Sequence, residues 1–399
     1  MCLILAFLKF CLILEKLSTV SKKTYVAKTI QGLEQVLADE LEQLGVQNIR
    51  PGRRMVEFET DIQTMYALNY RVFTALRILE SYKSFTFTDV NDYYNQIHSI
   101  PWDEIICPDQ TIAIDASVFK CNAFNNSHFT EMKTKDAIAD YFRDKTGKRP
   151  SVSLDNPDLL VNIYILADFC HVSLDTSGTP LYKRGYREVL HEASLNEVLA
   201  AGLIRLSKWN GKGYFYDPMC GGCTIPIEAA MFAMKMPAGY YRNHWGFMNW
   251  KNFQPELWKK VTEENGISKQ NNYEFQIFAS DSAATSLRAS QKNLARSRMM
   301  KHIKLEQKTF DNLLPAGDSG ILIFNPPYNV RMPVEDITGF YQEIGNHLKH
   351  NFTGHDAWII SSDLEAIKQV GLKPAEKYAV WNGPLEARFH KFSLFEGKL

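Results

Sequence analysis

The sequence predicts an α/β protein with a mostly parallel sheet and a C-terminal antiparallel hairpin, preceded by an α+β region. From about Leu195 onward, short apolar runs alternate with helical stretches. Helices between strands make neighbouring strands parallel and cover both faces of the sheet. The last two runs, KYAVWNG and ARFHKFSLF, are separated by a turn alone, which predicts an antiparallel pair. Before Leu195, hairpin and helix patterns mix, which is typical of an α+β region.

The first part of the chain divides into two units and a linker. In residues 24–87, TYVAKT predicts a strand, GLEQVLADELEQLG a helix, NIRPGRRMVEFET a hairpin, DIQTMYALNYRV a helix and RILESYKSFTF an extended run. Residues 88–176 contain the helix NDYYNQIHSI, the strand TIAIDASVF, the helix KTKDAIADYFRDKTG and the strand pair DLLVNIYILADFCHVSLDTSG. Residues 177–194 read as a basic linker.

The third unit, residues 195–399, repeats strand and helix. The pairs are GYFYDPMCGG with TIPIEAAMFAMKM, YEFQIFASD with AATSLRASQKNLARSR, GILIFNPPY with DITGFYQEIGNHLKHN, and DAWIISSD with LEAIKQVG. A further short strand, IKLEQKTFD, precedes the third pair. We therefore predict that the strands of this unit form the parallel sheet.

The apolar segment at residues 1–23 is interpreted as a dispensable extension. Its apolar run is interrupted by Lys9 and is shorter than the ~20 residues that a membrane helix needs. It also lacks the basic region and the small-residue cleavage site of a secretory signal. We expect no stable membrane association, with a membrane anchor as the alternative.

Charge and cysteine content exclude several classes of protein. The 45 basic residues equal the 45 acidic ones, so net charge indicates no partner. Seven scattered cysteines favour a reducing cytoplasm over a disulfide framework. Cys220 and Cys223 form a single CxxC without a second pair, so we predict no metal site.

The chain has no GxxxxGK[ST] and no complete GxGxxG, which argues against triphosphate and nicotinamide dinucleotide sites.

Four polar residues each fall at the end of a predicted strand: Asp217, Asp281, Asp311 and Asn325. Ligands of such sheets bind beyond the carboxyl ends of the strands, so we expect these side chains to converge on one site. The turn Gly221-Gly222 lets the backbone approach a ligand closely, and the helix after it presents unpaired N–H groups.

The motif NPPY, Asn325 to Tyr328, is the more specific signal. Proline has no N–H and a fixed φ, so Pro326 and Pro327 hold the neighbouring groups rigidly. The side-chain oxygen of Asn325 and the carbonyl of Pro326 can together accept two hydrogen bonds from a planar –NH2. Tyr328 offers a ring on which a base can stack.

These motifs resemble those of class I, Rossmann-like S-adenosylmethionine-dependent methyltransferases that modify exocyclic amines. The residues that carry this resemblance are DPMCGGCT, SD at 280–281, FD at 310–311, and NPPY. LYKRGYR, ASLNEVLAA and WNGPLEARF resemble the THUMP-domain RNA methyltransferases, above all the guanine-N2-methylating half of the RlmL type. The similarity covers nearly all of Thr24 to Phe395. It implies a ferredoxin-like domain at 24–87, a THUMP RNA-binding domain at 88–176 and a methyltransferase domain at 195–399.

The resemblance also implies S-adenosylmethionine as cofactor and assigns residues to it. The implied cofactor-binding residues are Glu197, Asp217, Cys220, Gly221, Gly222, Asp281, Phe310, Asp311 and Asn325. Among them, Asp217 and the glycine turn would hold the methionine part, Asp281 the ribose and Asp311 the adenine. The implied catalytic residues, which would hold the target base, are Asn325, Pro326, Pro327 and Tyr328. The family usually has glycine where this chain has Cys223.

An RNA partner would need local basic clusters, because the net charge is zero. We predict phosphate contacts from the first unit, the linker and the helix after Asp281, through Arg53, Arg54, Lys183, Arg184, Arg187, Arg288, Lys292 and Arg296. Phosphate contacts position RNA without reading its sequence.

By resemblance, the expected activity is methyl transfer to the exocyclic N2 of a guanine in RNA, with 23S ribosomal RNA as the first expected target, in the cytoplasm. One alternative keeps the chemistry on N2 of a tRNA guanine or on N6 of adenine, because both bases present an –NH2. A second alternative is a catalytically inactive, RNA-binding ribosome-assembly factor, which Cys223 keeps open. DNA is not expected as a partner.

Overall fold

The computed structural model describes residues 22–189, 194–266, 273–327 and 336–395. Almost all of the predicted extension at 1–23, and Tyr328 of the NPPY motif, lie outside these described residues. Within the described ranges, no helix is both long and apolar enough to cross a bilayer.

The first half of the chain builds an eight-stranded sheet. Its strands are β1 (Lys23–Lys28), β2 (Gln47–Gly52), β3 (Met55–Thr60), β4 (Arg77–Thr86), β5 (Thr111–Phe119), β6 (Ser151–Val152), β7 (Leu159–Leu166) and β8 (Phe169–Asp175). They lie in the order β2-β3-β1-β4-β8-β7-β5-β6. The helices are α1 (Glu34–Gln43), α2 (Ile62–Arg71), α3 (Val90–His98) and α4 (Ser127–Thr146).

Strand β4 joins the two predicted N-terminal units into one sheet. It pairs antiparallel with β1 along one edge and antiparallel with β8 along the other, so that Leu79 lies beside both Val26 and Asp175. A strand has two hydrogen-bonding edges, and each unit uses one of them. The predicted division near residue 87 therefore falls at the end of a shared strand.

Helices cover one face of the second unit's part of this sheet. In β7, Val161, Ile163 and Ile165 are buried, whereas the alternate residues Tyr164 and Leu166 are exposed. The buried residues share a core with residues of α3 and α4, which therefore cover that face. The opposite face carries the exposed Tyr164 and Leu166 at one end, whereas Asn162 on the same face is buried.

The second sheet has seven strands, and it confirms the predicted α/β fold. They are β9 (Gly213–Asp217), β10 (Phe275–Asp281), β11 (Ile303–Gln307), β12 (Gly320–Phe324), β13 (His355–Ser361), β14 (Glu376–Asn382) and β15 (Leu385–Ser393). The order is β11-β10-β9-β12-β13-β15-β14. Strands β9 to β13 pair in parallel, and β15 pairs antiparallel with both β13 and β14. The helices are α5 (Glu197–Leu206), α6 (Thr224–Ala233), α7 (Pro255–Glu264), α8 (Ala284–Ser297) and α9 (Ile337–Asn351).

The prediction of an α-helix at LEAIKQVG is wrong. The segment forms only a short 3-10 turn, Ala366–Val370. The carboxylate of Asp363 accepts from the N–H of Ala366 at 2.9 Å, and Gly371 ends the turn with φ +70°. The N-terminal cap at Asp363 and the stop at Gly371 leave too few residues between them for a stable α-helix.

The two halves of the chain are packed together by the aromatic segment between β9 and β10. Trp245 and Phe247 are each 1% exposed, and the ring of Phe247 stacks on Tyr66 of α2 at 4.4 Å. The indole N–H of Trp245 donates to the carbonyl of Asn69 at 3.2 Å. This segment is therefore part of the hydrophobic core of the first half of the chain.

Candidate active site

A cavity of about 400 Å³ lies at the carboxyl ends of the parallel strands, where the strand order reverses around β9. The four polar residues that were expected to converge all line it: Asp217, Asp281, Asp311 and Asn325. The cavity is also lined by the predicted residues Cys220, Gly221, Gly222, Phe310, Pro326 and Pro327. The parallel pairing of β9 to β12 brings these positions to one rim, although up to 108 residues separate them along the chain, from Asp217 to Asn325.

The glycine turn after β9 is fixed from the neighbouring strand and helix. Gly221 has φ +52°, and a Cβ there would point into open space. Its N–H donates to Asp281 at 3.0 Å, and its carbonyl accepts from the hydroxyl of Ser290 at 2.6 Å. The side-chain amide of Asn293 donates to the carbonyl of Gly222 at 2.9 Å. Helix α8 therefore holds the backbone that lines the cavity.

Cys223 occupies a left-handed conformation, with φ +61° and ψ +29°. It closes the turn by donating its N–H to the carbonyl of Cys220 at 2.7 Å, and α6 begins at the next residue. Left-handed backbone is costly for a residue with a Cβ and favours glycine. A hydrogen bond with Cys223, together with burial, raises the pKa of the Cys220 thiol well above its ordinary value. Cys220 is therefore a neutral thiol and a poor nucleophile.

Asp217 is a buried carboxyl with few partners. It is 1% exposed, and it accepts a hydrogen bond from the N–H of Met219 at 3.3 Å. Burial raises its pKa well above the ordinary value, and the charge of Asp281 adds to the effect. A cationic group bound in the cavity would favour the ionised carboxylate.

Asn325 places an acceptor in the cavity. Its side-chain oxygen is buried, and within the described ranges it has no hydrogen-bond partner. Unpaired buried polar atoms are rare and usually mark a role in binding or catalysis. Pro327 is contacted from α9, where the hydroxyl of Tyr341 lies 3.5 Å from the carbonyl of Pro327 and 2.9 Å from the hydroxyl of Ser361.

The side of the cavity after β11 is aromatic. The ring of Phe310 packs 5.6 Å from Phe324 and 5.0 Å from His347, while Asp311 is exposed to solvent. His347 is held by a 2.8 Å hydrogen bond between its Nε2 and the carbonyl of Leu313. This arrangement gives an apolar wall beside a carboxylate.

One set of lining residues was missed from the sequence. Helix α9 contributes Phe340, Glu343, Ile344 and His347. Their spacing, i, i+3, i+4 and i+7, puts them on one helical face. That spacing was visible in the sequence, but its mixed polarity did not distinguish a cavity wall from a half-buried surface.

Glu197 is placed differently from its predicted cofactor role. Its carboxylate lies 3.1 Å from the guanidinium of Arg187, and it lines an adjoining cavity instead. Burial raises the pKa of Glu197 to about 7, although Arg187 opposes the shift. The cap of α5 explains this position, because Asn196 caps the helix and turns the next side chain inward.

The predicted basic contacts divide into exposed and buried residues. Six are exposed: Arg53, Arg54, Lys183, Arg288, Lys292 and Arg296. The last three lie at i, i+4 and i+8 of α8, on one helical face. Arg187 is partly buried and donates to the carbonyl of Leu195 and the hydroxyl of Thr224, both at 2.9 Å.

Arg184 corrects the sequence prediction of an RNA contact. It is 1% exposed and pairs with the buried carboxylate of Glu228 at 3.4 Å. It also donates to the carbonyls of Leu181 and Phe73 at 2.9 and 2.6 Å. All these partners lie inside the protein, so Arg184 joins the two halves of the chain and does not face a ligand.

No group of three or more potential metal ligands occurs in the described ranges.

Three family descriptions match consecutive parts of the chain. Residues 184–391 match the family described as "RMKL-like, methyltransferase domain". Residues 87–175 match the THUMP domain, and residues 24–79 match the RlmL ferredoxin-like domain.

Individual relatives agree with these matches. A protein of Synechocystis sp., named as a candidate RNA methyltransferase, is 32% identical over 374 residues, which cover 94% of this chain and 97% of that protein. The ribosomal RNA large subunit methyltransferase K/L of Methylococcus capsulatus is 32% identical over 383 residues. That match covers 93% of this chain but 51% of the relative, so the chain spans about half its length.

The fold also matches a solved structure. The crystal structure of SMU.472, a candidate methyltransferase in complex with SAH, superposes with a TM-score of 0.84 and covers 94% of this chain and 99% of that one. The two sequences are 24% identical, so this similarity is one of fold.

Proposed function

The chain belongs to the RMKL-like family of S-adenosylmethionine-dependent RNA methyltransferases, and from this premise we propose that it methylates the exocyclic N2 of a guanine in RNA. The first target that we propose is 23S ribosomal RNA, in the cytoplasm. The observation that carries the proposal is the buried side-chain oxygen of Asn325 at the rim of the parallel sheet, which has no hydrogen-bond partner among the described residues. It offers an acceptor where an amino group is to be methylated.

The cavity fits the chemical groups of S-adenosylmethionine. Asp217 provides a buried carboxyl for the cationic methionine end, and Gly221 leaves open space where a Cβ would project. Both oxygens of Asp281 accept backbone hydrogen bonds, and each retains a lone pair for a ribose hydroxyl. Phe310 offers a ring face for the adenine, with Asp311 beside it. When bound, this cofactor supplies an activated methyl group on a sulfonium.

The protein's own part in the reaction is to orient the amine and to stabilise charge. The side-chain oxygen of Asn325 and the carbonyl of Pro326 accept hydrogen bonds from the two N–H groups of the amine. The nitrogen becomes positively charged as it gains a fourth bond, and it returns to neutrality when one of its two protons is released to water. Acceptors aimed at these protons therefore stabilise the transition state more than the ground state. Because prolines 326 and 327 have fixed φ, these acceptors stay aligned without reorganisation.

The base has to enter the cavity unpaired. A guanine inside a duplex has its N2 engaged, so the substrate is single-stranded or its target nucleotide is flipped out. In the division of labour that we propose, residues 24–87 and 88–176 position the RNA, and residues 195–399 carry out the transfer.

Substitution of Asn325 tests the proposal directly. Asn325→Ala removes the acceptor while leaving the cavity walls in place, so methyl transfer is expected to fall by at least about 100-fold. Affinity for S-adenosylmethionine, measured by calorimetry, is expected to stay within about threefold. Asn346→Ala, an exposed asparagine on α9, serves as the matched control and should behave as wild type. An equal loss of transfer and of cofactor affinity in Asn325→Ala would contradict the role.

Two alternatives remain as outcomes of experiment. Guanine N2 in tRNA and adenine N6 present the same –NH2 to Asn325, and nucleoside analysis separates them. An inactive assembly factor would bind no cofactor, which calorimetry detects. The conformation of Cys223 supports the enzyme, because its φ of +61° keeps the turn in the shape that a glycine would give it.

A further inference from the structure

We propose that Asn293 is a positioning residue that couples the end of the linker to the glycine turn of the cofactor site. Its side-chain amide joins the two segments, so that a cofactor bound at the turn and the seating of linker residues 188–189 on α8 stabilise each other. The inference rests on the S-adenosylmethionine dependence of the family, and it holds whichever base is methylated.

The buried face of α8 is polar. Four side chains on it are between 0% and 4% exposed, and their spacing puts them on one side of the helix: Ser286, Ser290, Asn293 and Ser297. The buried face of a helix is normally apolar, and buried polar side chains need partners. Ser290 and Asn293 have their partners outside the helix, in the backbone of other segments.

The amide of Asn293 uses its whole hydrogen-bonding capacity. Its oxygen accepts from the N–H of Glu188 at 2.8 Å and from the N–H of Val189 at 3.2 Å. Its nitrogen donates to the carbonyl of Gly222 at 2.9 Å and to the carbonyl of Val189 at 3.4 Å. A side-chain amide has two donor hydrogens and an oxygen with two lone pairs. Turning the amide over would set donors against donors, so one orientation alone satisfies these backbone groups.

The glycine turn is packed closely against this amide. A Cβ at Gly222 would lie 3.3 Å from the side-chain nitrogen of Asn293 and 3.5 Å from the hydroxyl of Ser194. Glycine therefore permits the close approach that the hydrogen bond from Asn293 needs. Because the contact is tight, displacement of the amide would also displace the turn that lines the catalytic cavity.

The linker upstream of residue 188 is held by other contacts. Arg184 pairs with the carboxylate of Glu228, and the hydroxyl of Tyr186 donates to the same carboxylate at 2.9 Å. These contacts are made to α6 and do not involve Asn293. The contribution of Asn293 is therefore local to residues 188–189.

The coupling is reciprocal, because linkage between two binding events always is. A cofactor that orders the glycine turn stabilises the seated orientation of Asn293, and the seated amide holds the two linker N–H groups. The linker connects the ferredoxin-like and THUMP units to the methyltransferase domain. Asn293 therefore ties the end of this connection to the cofactor site.

Hydrogen exchange at single-residue resolution tests the coupling in the wild-type protein, with S-adenosylhomocysteine as the ligand. Saturating ligand is expected to slow exchange at the amides of Glu188 and Val189 by at least about fivefold. The amide of Lys183 is the matched control in the same linker, because its N–H donates to the carbonyl of Pro180 at 3.1 Å. Exchange at Lys183 should not change.

Two substitutions of Asn293 separate the two ends of the contact. Asn293→Asp keeps the acceptor for the linker but cannot donate to Gly222, so the linker amides should stay protected and no longer respond to the ligand. Asn293→Ala removes both ends, so these amides should exchange fast with and without ligand. In both variants, affinity for S-adenosylhomocysteine, measured by calorimetry, is expected to fall about tenfold.

Ser297→Ala is the control for loss of a buried polar group on the same face of α8. The hydroxyl of Ser297 donates within the helix, to the carbonyl of Leu294 at 3.2 Å, so ligand affinity and linker exchange should match wild type. The thermal midpoint identifies any variant that does not fold. The wild-type exchange experiment needs no variant, so it decides the matter even if a variant of Asn293 unfolds.

Three results would overturn the coupling. The first is wild-type exchange at residues 188–189 that the ligand does not slow. The second is wild-type ligand affinity in Asn293→Asp. The third is exchange that is slowed equally at Lys183, which would indicate a general stabilisation of the fold. A wild-type protein that binds no ligand would overturn both this inference and the proposed function, whereas one that binds it and methylates no guanine would contradict the proposed function alone.

Discussion

Asp281 accepts a 3.0 Å hydrogen bond from the backbone N–H of Gly221, which ties the end of β10 to the glycine turn after β9. Its other oxygen accepts from the N–H of Ala283 at 2.9 Å, next to the start of α8. One carboxylate thereby fixes two backbone segments of the cavity wall. Its free lone pairs remain directed to a ligand.

Removal of this carboxylate should weaken cofactor binding more than it weakens the fold. For Asp281→Ala we expect S-adenosylmethionine affinity to fall at least about tenfold and the free energy of unfolding to fall by about 1 kcal/mol. Asp281→Asn keeps one acceptor oxygen, so its cofactor affinity should lie between those of Asp281→Ala and wild type. Calorimetry and urea unfolding measure the two effects, with Asp318→Ala as an exposed control. Wild-type affinity in Asp281→Ala would refute the ribose role.

Cofactor affinity should depend on pH through Asp217. Burial raises the pKa of this carboxyl in the folded, unliganded protein, so it holds its proton above the ordinary range. A cationic ligand favours the ionised form, and so affinity should fall as pH is lowered through the raised pKa. Binding below that pKa should release a proton, which calorimetry detects in buffers of different ionisation enthalpy.

Asp217→Asn is the control for this pH dependence. It keeps the shape of the side chain but cannot ionise, so affinity should be lower and no longer fall with acid. The raised pKa of Asp217 in the wild-type protein also makes the stability of the fold depend on pH. The contribution of Asp217 to stability is present at pH values below its unfolded-state pKa and is lost as pH rises through its folded-state pKa. An unchanged pH profile in Asp217→Asn would exclude Asp217 as the titrating group.

At position 223, the glycine variant should be more stable than the alanine variant, which is the reverse of the usual order of stability. Cys223→Gly and Cys223→Ala both remove the thiol and differ only in the Cβ, which is costly at φ +61°. We expect the glycine variant to be more stable by about 1 kcal/mol in urea unfolding.

Cys220 provides the matched control, because it is not among the residues with positive φ. At that position alanine should be the more stable variant. If alanine were also favoured at position 223, the turn would not adopt the left-handed conformation.

Neighbouring cations in the linker should behave in opposite ways. Arg184→Ala leaves Glu228 buried without its partner, so the free energy of unfolding should fall by about 3–5 kcal/mol. Lys183→Ala, at an exposed position, should leave stability unchanged. It should instead reduce the salt dependence of RNA binding by about one phosphate contact. Loss of RNA binding in a stably folded Arg184→Ala would show that this arginine faces RNA.

The rim of the parallel sheet could be predicted because its signals are local. Asp217, Asp281 and Asn325 each follow an apolar run directly, and alternation of strands with helices fixes which end of each strand they occupy. Helix α9 was predicted, but not as a wall of the cavity. Which face of α9 meets the cavity depends on how it packs against β12 and β13, which sequence spacing does not show.

Other features depend on contacts between distant residues. The pairing of β4 with both β1 and β8 is invisible in RILESYKSFTF, because either edge of a strand can be used. LYKRGYR presents Lys183, Arg184 and Arg187 as one basic cluster, yet Glu228 draws Arg184 into the core. Glu197 likewise pairs with Arg187, 10 residues earlier in the chain, and lines the adjoining cavity.

The most direct test of guanine-N2 methylation uses labelled S-adenosylmethionine and total RNA from a strain that lacks this protein, followed by nucleoside analysis. We predict label in N2-methylguanosine from the large-subunit RNA, and none with Asn325→Ala. Label in N6-methyladenosine, or no label in any RNA fraction from a protein that binds the cofactor, would contradict the proposed activity.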